Sequence, residues 1–287
     1  NDSSDEASDT NTSVIGNNRV YINKDTRSKL LRNKFGALPS IVSKFLQFDS
    51  LQCTSNNEPN FLKPNYRCLL RYGIKSHINQ SFLHCILDVY IKYKNIPNMK
   101  LNNFKNDVLL KAIDLDKFVT YNNGNLSNIF FPKNIGDQDL IKFEIDEEYY
   151  NYHKNSDQFI NSLNLDDENQ LLLFKKMILS FKSFKKYLLS NKYLIDYTYL
   201  WDIICKPNKN LFEKGINLII LDITSEDITE NIKVICPKQN YSNEFIDEKK
   251  GNVILIKNED SYEPIYAVKD GSIKKILPII HFDIHND

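Results

Sequence analysis

The side chains best placed to do chemistry stand together in Asn79-Gln80-Ser81-Phe82-Leu83-His84-Cys85. A polar turn, Gly73-Ile74-Lys75-Ser76-His77-Ile78, comes before them and an apolar run follows. Asn79 therefore suits the N-cap of a helix and Ser81 its first turn. A helix N-terminus carries about half a positive charge, which favours an anionic nucleophile at that point. Ser81 is one candidate nucleophile and Cys85 the other. Cys85 follows Ser81 by four residues, so it lies on the same face one turn deeper, where a small core residue is the plainer role. His84 adjoins Cys85, but consecutive helix residues diverge by about 100° and cannot form a dyad.

Two further groups could bind rather than react. His281, Asp283 and His285 alternate at the C-terminus, which would put three metal ligands on one face of a strand, with no evident fourth. Lys175, Lys176, Lys182, Lys185 and Lys186 form a basic helix face. Such a face is ordinarily the solvated side of an amphipathic helix. It could contact nucleic acid, through Lys175, Lys182 and Lys186 above all, only if it joined Lys24, Arg27, Lys29 and Arg32 in one patch. There is no phosphate-binding glycine loop and no Gly-x-Ser-x-Gly elbow, and no cofactor is expected.

These residues need elements to position them. Over residues 79–94, Phe82, Ile86, Val89 and Tyr93 form one apolar row, and Leu83, Leu87 and Tyr90 a second beside it. A helix apolar over most of its girth is a buried, central one. A further helix is expected over residues 103–119, and a long amphipathic one over 167–190, opened by Asp166, Asp167 and Glu168. Residues 120–157, rich in Asn, Asp and Tyr, lack periodicity and read as an irregular insertion. After Gly215 the pattern changes to β-branched runs at 217–223, 232–236, 253–257, 262–268 and 272–280, with Asp270-Gly271 as a hairpin signal. Helices first and strands last predict an α+β fold, its central helix packed on a mainly antiparallel C-terminal sheet. Residues 1–18 offer nothing to bury and read as a disordered tail, leaving residues 19–287 as one domain.

Composition narrows the function classes. Lys+Arg and Asp+Glu are equal at 37 each in 287 residues, so no overall charge draws the chain to nucleic acid or acidic membranes. Five scattered cysteines without a Cys-x-x-Cys pair argue against a disulfide framework and a zinc knuckle, and for a reducing, intracellular compartment. The apolar runs are too short to span a bilayer. The chain opens without Met inside a polar segment, as a module excised from a longer protein would. Abundant Asn, Lys, Ile, Tyr and Phe, all with A/T-rich codons, point to the genome rather than the fold.

The 79–85 segment resembles the nucleophile box of papain-like deubiquitinases, the ubiquitin-specific and ovarian-tumour types, with Ser81 at the nucleophile position. The strand–turn–strand of residues 252–257 and 261–268 resembles the pair that carries the catalytic His in those families. Where that His would stand, this chain has Asp260-Ser261-Tyr262. The resemblance implies a papain-like scaffold with degenerate catalytic residues, because a serine hydroxyl without a base is a poor nucleophile. The alternative it leaves is an active cysteine hydrolase of the deubiquitinase type.

A broader resemblance runs through Arg32-Asn33-Lys34-Phe35-Gly36-Ala37-Leu38-Pro39, Cys68-Leu69-Leu70-Arg71-Tyr72-Gly73, Tyr199-Leu200-Trp201-Asp202 and Tyr262-Glu263-Pro264-Ile265-Tyr266. These segments resemble parts of large proteins of nucleocytoplasmic large DNA viruses, some of which carry early-transcription-factor-type labels. The resemblance implies a viral module acting in host cytoplasm or virion. Its partner would be a ubiquitin-like protein or another chain of a viral assembly; a nucleic-acid-binding module is the rival. The whole reading is of a binding or scaffold module rather than an enzyme.

Overall fold

The computed structural model describes residues 20–75, 78–223, 232–235, 247, 249–269 and 276–277. Its centre is an eight-stranded mixed sheet. The strands that build it are β1 (Ile22–Asn23), β2 (Phe35–Gly36), β5 (Cys68–Tyr72), β6 (Ile216–Asp222), β7 (Lys233–Ile235), β8 (Gly251–Asn258), β9 (Ser261–Val268) and β10 (Ile276–Leu277). They run in the order β1-β2-β5-β9-β8-β6-β7, and β10 pairs with β9. A small hairpin, β3 (Thr54–Ser55) with β4 (Glu58–Leu62), forms a separate two-stranded sheet that meets the start of β1 through a Tyr21–Phe61 bridge.

The C-terminal strands form where the β-branched runs fall. β6 reads Ile-Asn-Leu-Ile-Ile-Leu-Asp and is buried on both faces, as a continuous apolar run in a parallel pair should be. β8 and β9 are antiparallel neighbours, with Glu259 at the turn in a left-handed conformation. Five of the seven pairings within the sheet are antiparallel; β1–β2 and β6–β8 are parallel. The first quarter of the chain also contributes β1, β2 and β5. β1 and β2 have two residues each, too few for any periodicity to register.

Helix α1 (Ser40–Phe45) covers one face of the sheet. Leu38 and Val42 meet Ile219, Leu221, Ile254, Ile256, Ile265 and Ala267 there. The other face carries α2 (Ser81–Lys94) against β9. Phe82 and Ile86 are 1% and 0% exposed, so the central helix is buried as its two apolar rows predict. It ends at Asn95, whose left-handed backbone closes the last turn.

The helix expected over 103–119 is broken. α3 (Leu101–Asn103) runs into a π-helical turn, Phe104–Leu109, then α4 (Leu110–Ala112). Ile113 is extended, and Asp114 caps α5 (Leu115–Thr120) by accepting the Lys117 amide. Residues 120–157 are more regular than the sequence suggests, with α6 (Leu126–Ile129), α7 (Asp137–Lys142) and α8 (Glu147–Asn155). They are too short to show a period. Buried Asp116 holds this layer by accepting from the Tyr152 and Ser156 hydroxyls and the Ile160 amide. The long α9 (Glu168–Leu189) packs against α5, α6 and α7, with Asp167 as its N-cap. α10 (Trp201–Cys205) leads back to β6. Gly215, at φ +71, turns the chain into β6; a Cβ there would lie 2.3 Å from the Cys205 carbonyl oxygen.

Cysteine usage needs a correction. Cys53 and Cys68 are buried and joined in a disulfide, which ties the segment before the β3–β4 hairpin to β5. Spacing could not reveal the pair, because the 3-10 turn that ends at Cys53 meets β5 only in the folded chain. The tail over residues 1–18 and the Asp270-Gly271 turn lie outside the described residues. Among the described residues no helix is long and apolar enough to cross a membrane.

Candidate functional site

The N-terminus of α2 is a closed junction. A 3-10 turn, Ile78–Gln80, leads into the helix at Ser81. The Ser81 hydroxyl accepts the Tyr262 backbone amide at 2.8 Å and donates toward the Tyr262 carbonyl at 3.4 Å. Ser81 is 1% exposed. The helix start and the start of β9 are therefore adjacent, and the hydroxyl serves as a clasp between them. The Tyr262 ring lies on the α2 side, edge-on to Phe82 with centroids 5.4 Å apart. Burial and the neighbouring Asp196 push its phenol well above the ordinary range, so it stays neutral.

A strap of residues 190–195 crosses this junction. Asn79 Nδ2 donates to the Lys192 carbonyl at 3.1 Å, and Gln80 Nε2 donates to the Tyr193 carbonyl at 2.9 Å. The Ile195 amide donates back to the Asn79 carbonyl at 3.0 Å. Tyr187 OH holds the Leu194 carbonyl from α9, and its ring stacks on Tyr193. Lys105, in the π-helical turn, donates to the Ser190 carbonyl and to Asn191 Oδ1. Lys105 is 1% exposed, and burial lowers the pKa of its amine to about 8. The Gln80 side-chain oxygen is buried with no hydrogen-bond partner. Sequence reasoning missed the strap and Lys105, because a polar loop gives no sign of what it will cover.

Cys85 is fully buried one turn further in, as its spacing suggests. Burial, then Asp88, raises its thiol pKa well above normal, so the nucleophilic thiolate is disfavoured there. Next along this face stands a polar group. Asp88 accepts from the buried Tyr266 hydroxyl and from Lys92 Nζ, whose ammonium also sits over the Tyr72 ring at 4.5 Å. His153 is committed elsewhere, with Nε2 2.9 Å from the Leu163 carbonyl and its ring beside Phe174.

The basic face of α9 is not the free surface expected of it. Lys175 donates to the Ile141 carbonyl and Lys176 to Asn128 Oδ1. Lys182 pairs with Asp146 and lies over the Phe143 and Tyr149 rings. These lysines tie the 125–149 helices to α9, while Lys186 stays exposed in its last turn. His281, Asp283 and His285 lie outside the described residues, among which no group of metal ligands occurs.

A different charged pair organises the opposite face of the sheet. Arg71 Nη1 meets Glu263 Oε2 at 3.0 Å with both side chains almost wholly buried. The guanidinium also donates to the Ala37 and Asp25 carbonyls, and Glu263 Oε1 accepts the Leu30 amide at 2.7 Å. The pair thus anchors the basic loop of residues 24–34 to β5 and β9. Gly73 allows that loop its close approach, since a Cβ there would strike the Leu31 carbonyl at 1.9 Å.

The chain is similar to "Uncharacterized protein R327" of Acanthamoeba polyphaga mimivirus, with 29% identity over 118 residues. The match covers 36% of this chain and 7% of the mimivirus protein's length. It agrees with the giant-virus resemblance and the A/T-rich residue usage, and supports a giant-virus origin. No family model matches the chain. No solved structure matches it either.

Proposed function

We propose that this chain is a non-catalytic binding or scaffold module of a large viral protein, working in host cytoplasm or virion. It would be built on a papain-like arrangement whose catalytic positions now serve packing. One observation carries the reading: the residue at the nucleophile position, Ser81, is buried and clasped to the backbone of Tyr262, where a catalytic base would be presented. A nucleophile needs a base within about 3.2 Å and a path for substrate. Here the hydroxyl faces a peptide group, Tyr262 fills the adjoining space, and the strap at Tyr193 crosses the helix start. Cys85 offers no substitute, being deeper and protonated. A hydrolase reading has no assembled pair to work with among the described residues.

The partner class that follows is protein, either a ubiquitin-like fold or another chain of a viral assembly. The nucleic-acid alternative loses support, because three of the α9 lysines hold the protein's own oxygens. The test pairs a ubiquitin bearing a cysteine-reactive C-terminal warhead with a chain-cleavage assay. No adduct and no cleavage are expected. An adduct abolished by Cys85→Ala, or cleavage abolished by Ser81→Ala, would overturn the reading. A ubiquitin pull-down separately asks whether the scaffold holds that partner.

A further inference from the structure

The 24–34 loop concentrates one sign of charge. Residues 26–34 hold Arg27, Lys29, Arg32 and Lys34 and no carboxylate. All four residues are exposed, and none is paired with a carboxylate among the described residues. Between them two leucines point to different surroundings. Leu30 is 3% exposed and packs beside Gly36, whereas Leu31 is 77% exposed. The carboxylates of the loop and the adjoining strands are Asp25, which accepts the Arg27 and Ser28 amides, and Glu263, which holds Arg71 and the Leu30 amide. The β8–β9 turn adds Glu259 and Asp260. Against these four stand six cations, the loop's own five and Arg71, so this surface keeps a positive excess.

The fold holds the end of this loop in place. The Lys34 amide donates to the Leu31 carbonyl at 3.1 Å and closes a tight turn, with Asn33 left-handed at φ 62. The Asn33 amide donates to the Gly73 carbonyl and the Gly73 amide to the Lys34 carbonyl, both at 2.8 Å. Asn33 Oδ1 accepts the Tyr72 hydroxyl at 3.0 Å. The turn is thus fastened to the end of β5 through its backbone and Asn33, while Leu31, Arg32 and Lys34 remain exposed. We propose that this turn docks the chain on an anionic lipid surface, with Leu31 entering the acyl boundary and Lys29, Arg32 and Lys34 lying among the headgroups. An exposed apolar residue set among cations is suited to a membrane interface, and a turn ordered beforehand loses little freedom on docking. A nucleic-acid backbone would satisfy the same cations but leave the leucine in water. The zero net charge of the chain does not oppose docking, because the attraction acts only within about 8 Å at physiological salt and the local excess decides it. One leucine and a few cations give weak, reversible attachment. The inference uses none of the residues of the protease-like reading and stands or falls apart from it.

The experiment sediments the full chain with vesicles of phosphatidylcholine containing about one-third phosphatidylserine, and with vesicles of phosphatidylcholine alone. Binding is expected to the first and not to the second, and should weaken as salt rises. Arg32→Ala and Lys34→Ala should each weaken it about fivefold, and the Lys29→Ala/Arg32→Ala/Lys34→Ala triple variant should abolish it. Leu31→Ser should weaken it several-fold without changing its salt dependence. These side chains are exposed, so the variants should melt like the parent, which separates lost docking from lost fold. Leu31→Trp reports insertion directly. Its emission should shift to the blue on the anionic vesicles, read against a parent whose single tryptophan is Trp201. No binding to the anionic vesicles, binding that survives the triple variant or ignores Leu31→Ser, or tighter binding to a single-stranded oligonucleotide than to the vesicles overturns the proposal.

Discussion

The Ser81 hydroxyl oxygen lies 2.8 Å from the backbone nitrogen of Tyr262, and this bond joins the first turn of α2 to the start of β9 across 181 residues of sequence. A side chain at a position suited to chemistry here satisfies a buried amide. Tyr262 is paired with Lys257 on β8, but on its other side β5 reaches only as far as Ile265, which leaves that edge of β9 open to Ser81.

Ser81→Ala should therefore destabilise the fold. It leaves the Tyr262 amide buried and unpaired, at a cost of about 1–3 kcal/mol. Urea denaturation would read this as a lower midpoint at unchanged slope. A stability equal to the parent's would mean that the bond is not formed in solution.

Arg71 and Glu263 allow a sharper comparison. Glu263→Ala should cost about 3–5 kcal/mol, because it strands a cation that is 4% exposed. Replacing both, with Arg71→Met and Glu263→Leu, should cost less than the two single changes added together. Chemical denaturation of the four proteins in a double-mutant cycle gives the coupling. Strict additivity would show that the pair does not act as a unit.

The Cys53–Cys68 disulfide spans 15 residues of sequence, a loop whose closure is worth about 3 kcal/mol. Cys53→Ser/Cys68→Ser should lower stability by about that much, and alkylation of the unfolded, unreduced chain should leave these two cysteines unlabelled. Labelling of all five cysteines would show that the pair is a dithiol in the protein as prepared.

The central helix, the long α9 and the C-terminal strands were legible in the sequence because each is long enough to show its period. Phe82, Ile86 and Val89 announce a buried face, and Leu218, Ile220 and the residues between them a doubly covered strand. β1, β2 and the helices of residues 126–155 were not, since short elements are fixed by tertiary contacts such as those of Asp116. The same holds at the site. The sequence could place Ser81 at a helix start, but not its Tyr262 partner or the strap through Tyr193. Nor did the charge of Lys182 say whether it faces water or Asp146.

Lys105 provides a pH test of this buried architecture. Its amine holds the Ser190 carbonyl beyond the C-terminus of α9, and burial lowers its pKa from 10.5 to about 8. Between those values the unfolded chain binds the proton and the folded chain does not, so stability rises with pH across that window. Below pH 8 the buried charge is a cost in full. Other groups act in the opposite sense. Cys205, raised from 9.0 to about 12, and Tyr72 and Tyr121, raised from 10.0 to about 12, lose stability as pH climbs through those ranges. The contribution of Lys105 is therefore isolated by subtraction. The stability of the parent minus that of Lys105→Met, from urea denaturation at intervals between pH 7 and pH 10, should grow steadily above pH 8. At pH 7 the variant should come close to the parent, because losing two hydrogen bonds is offset by no longer burying a charge. A difference that stays flat across the window would return the amine to an ordinary pKa, and with it the strap of residues 190–195 to a solvated loop.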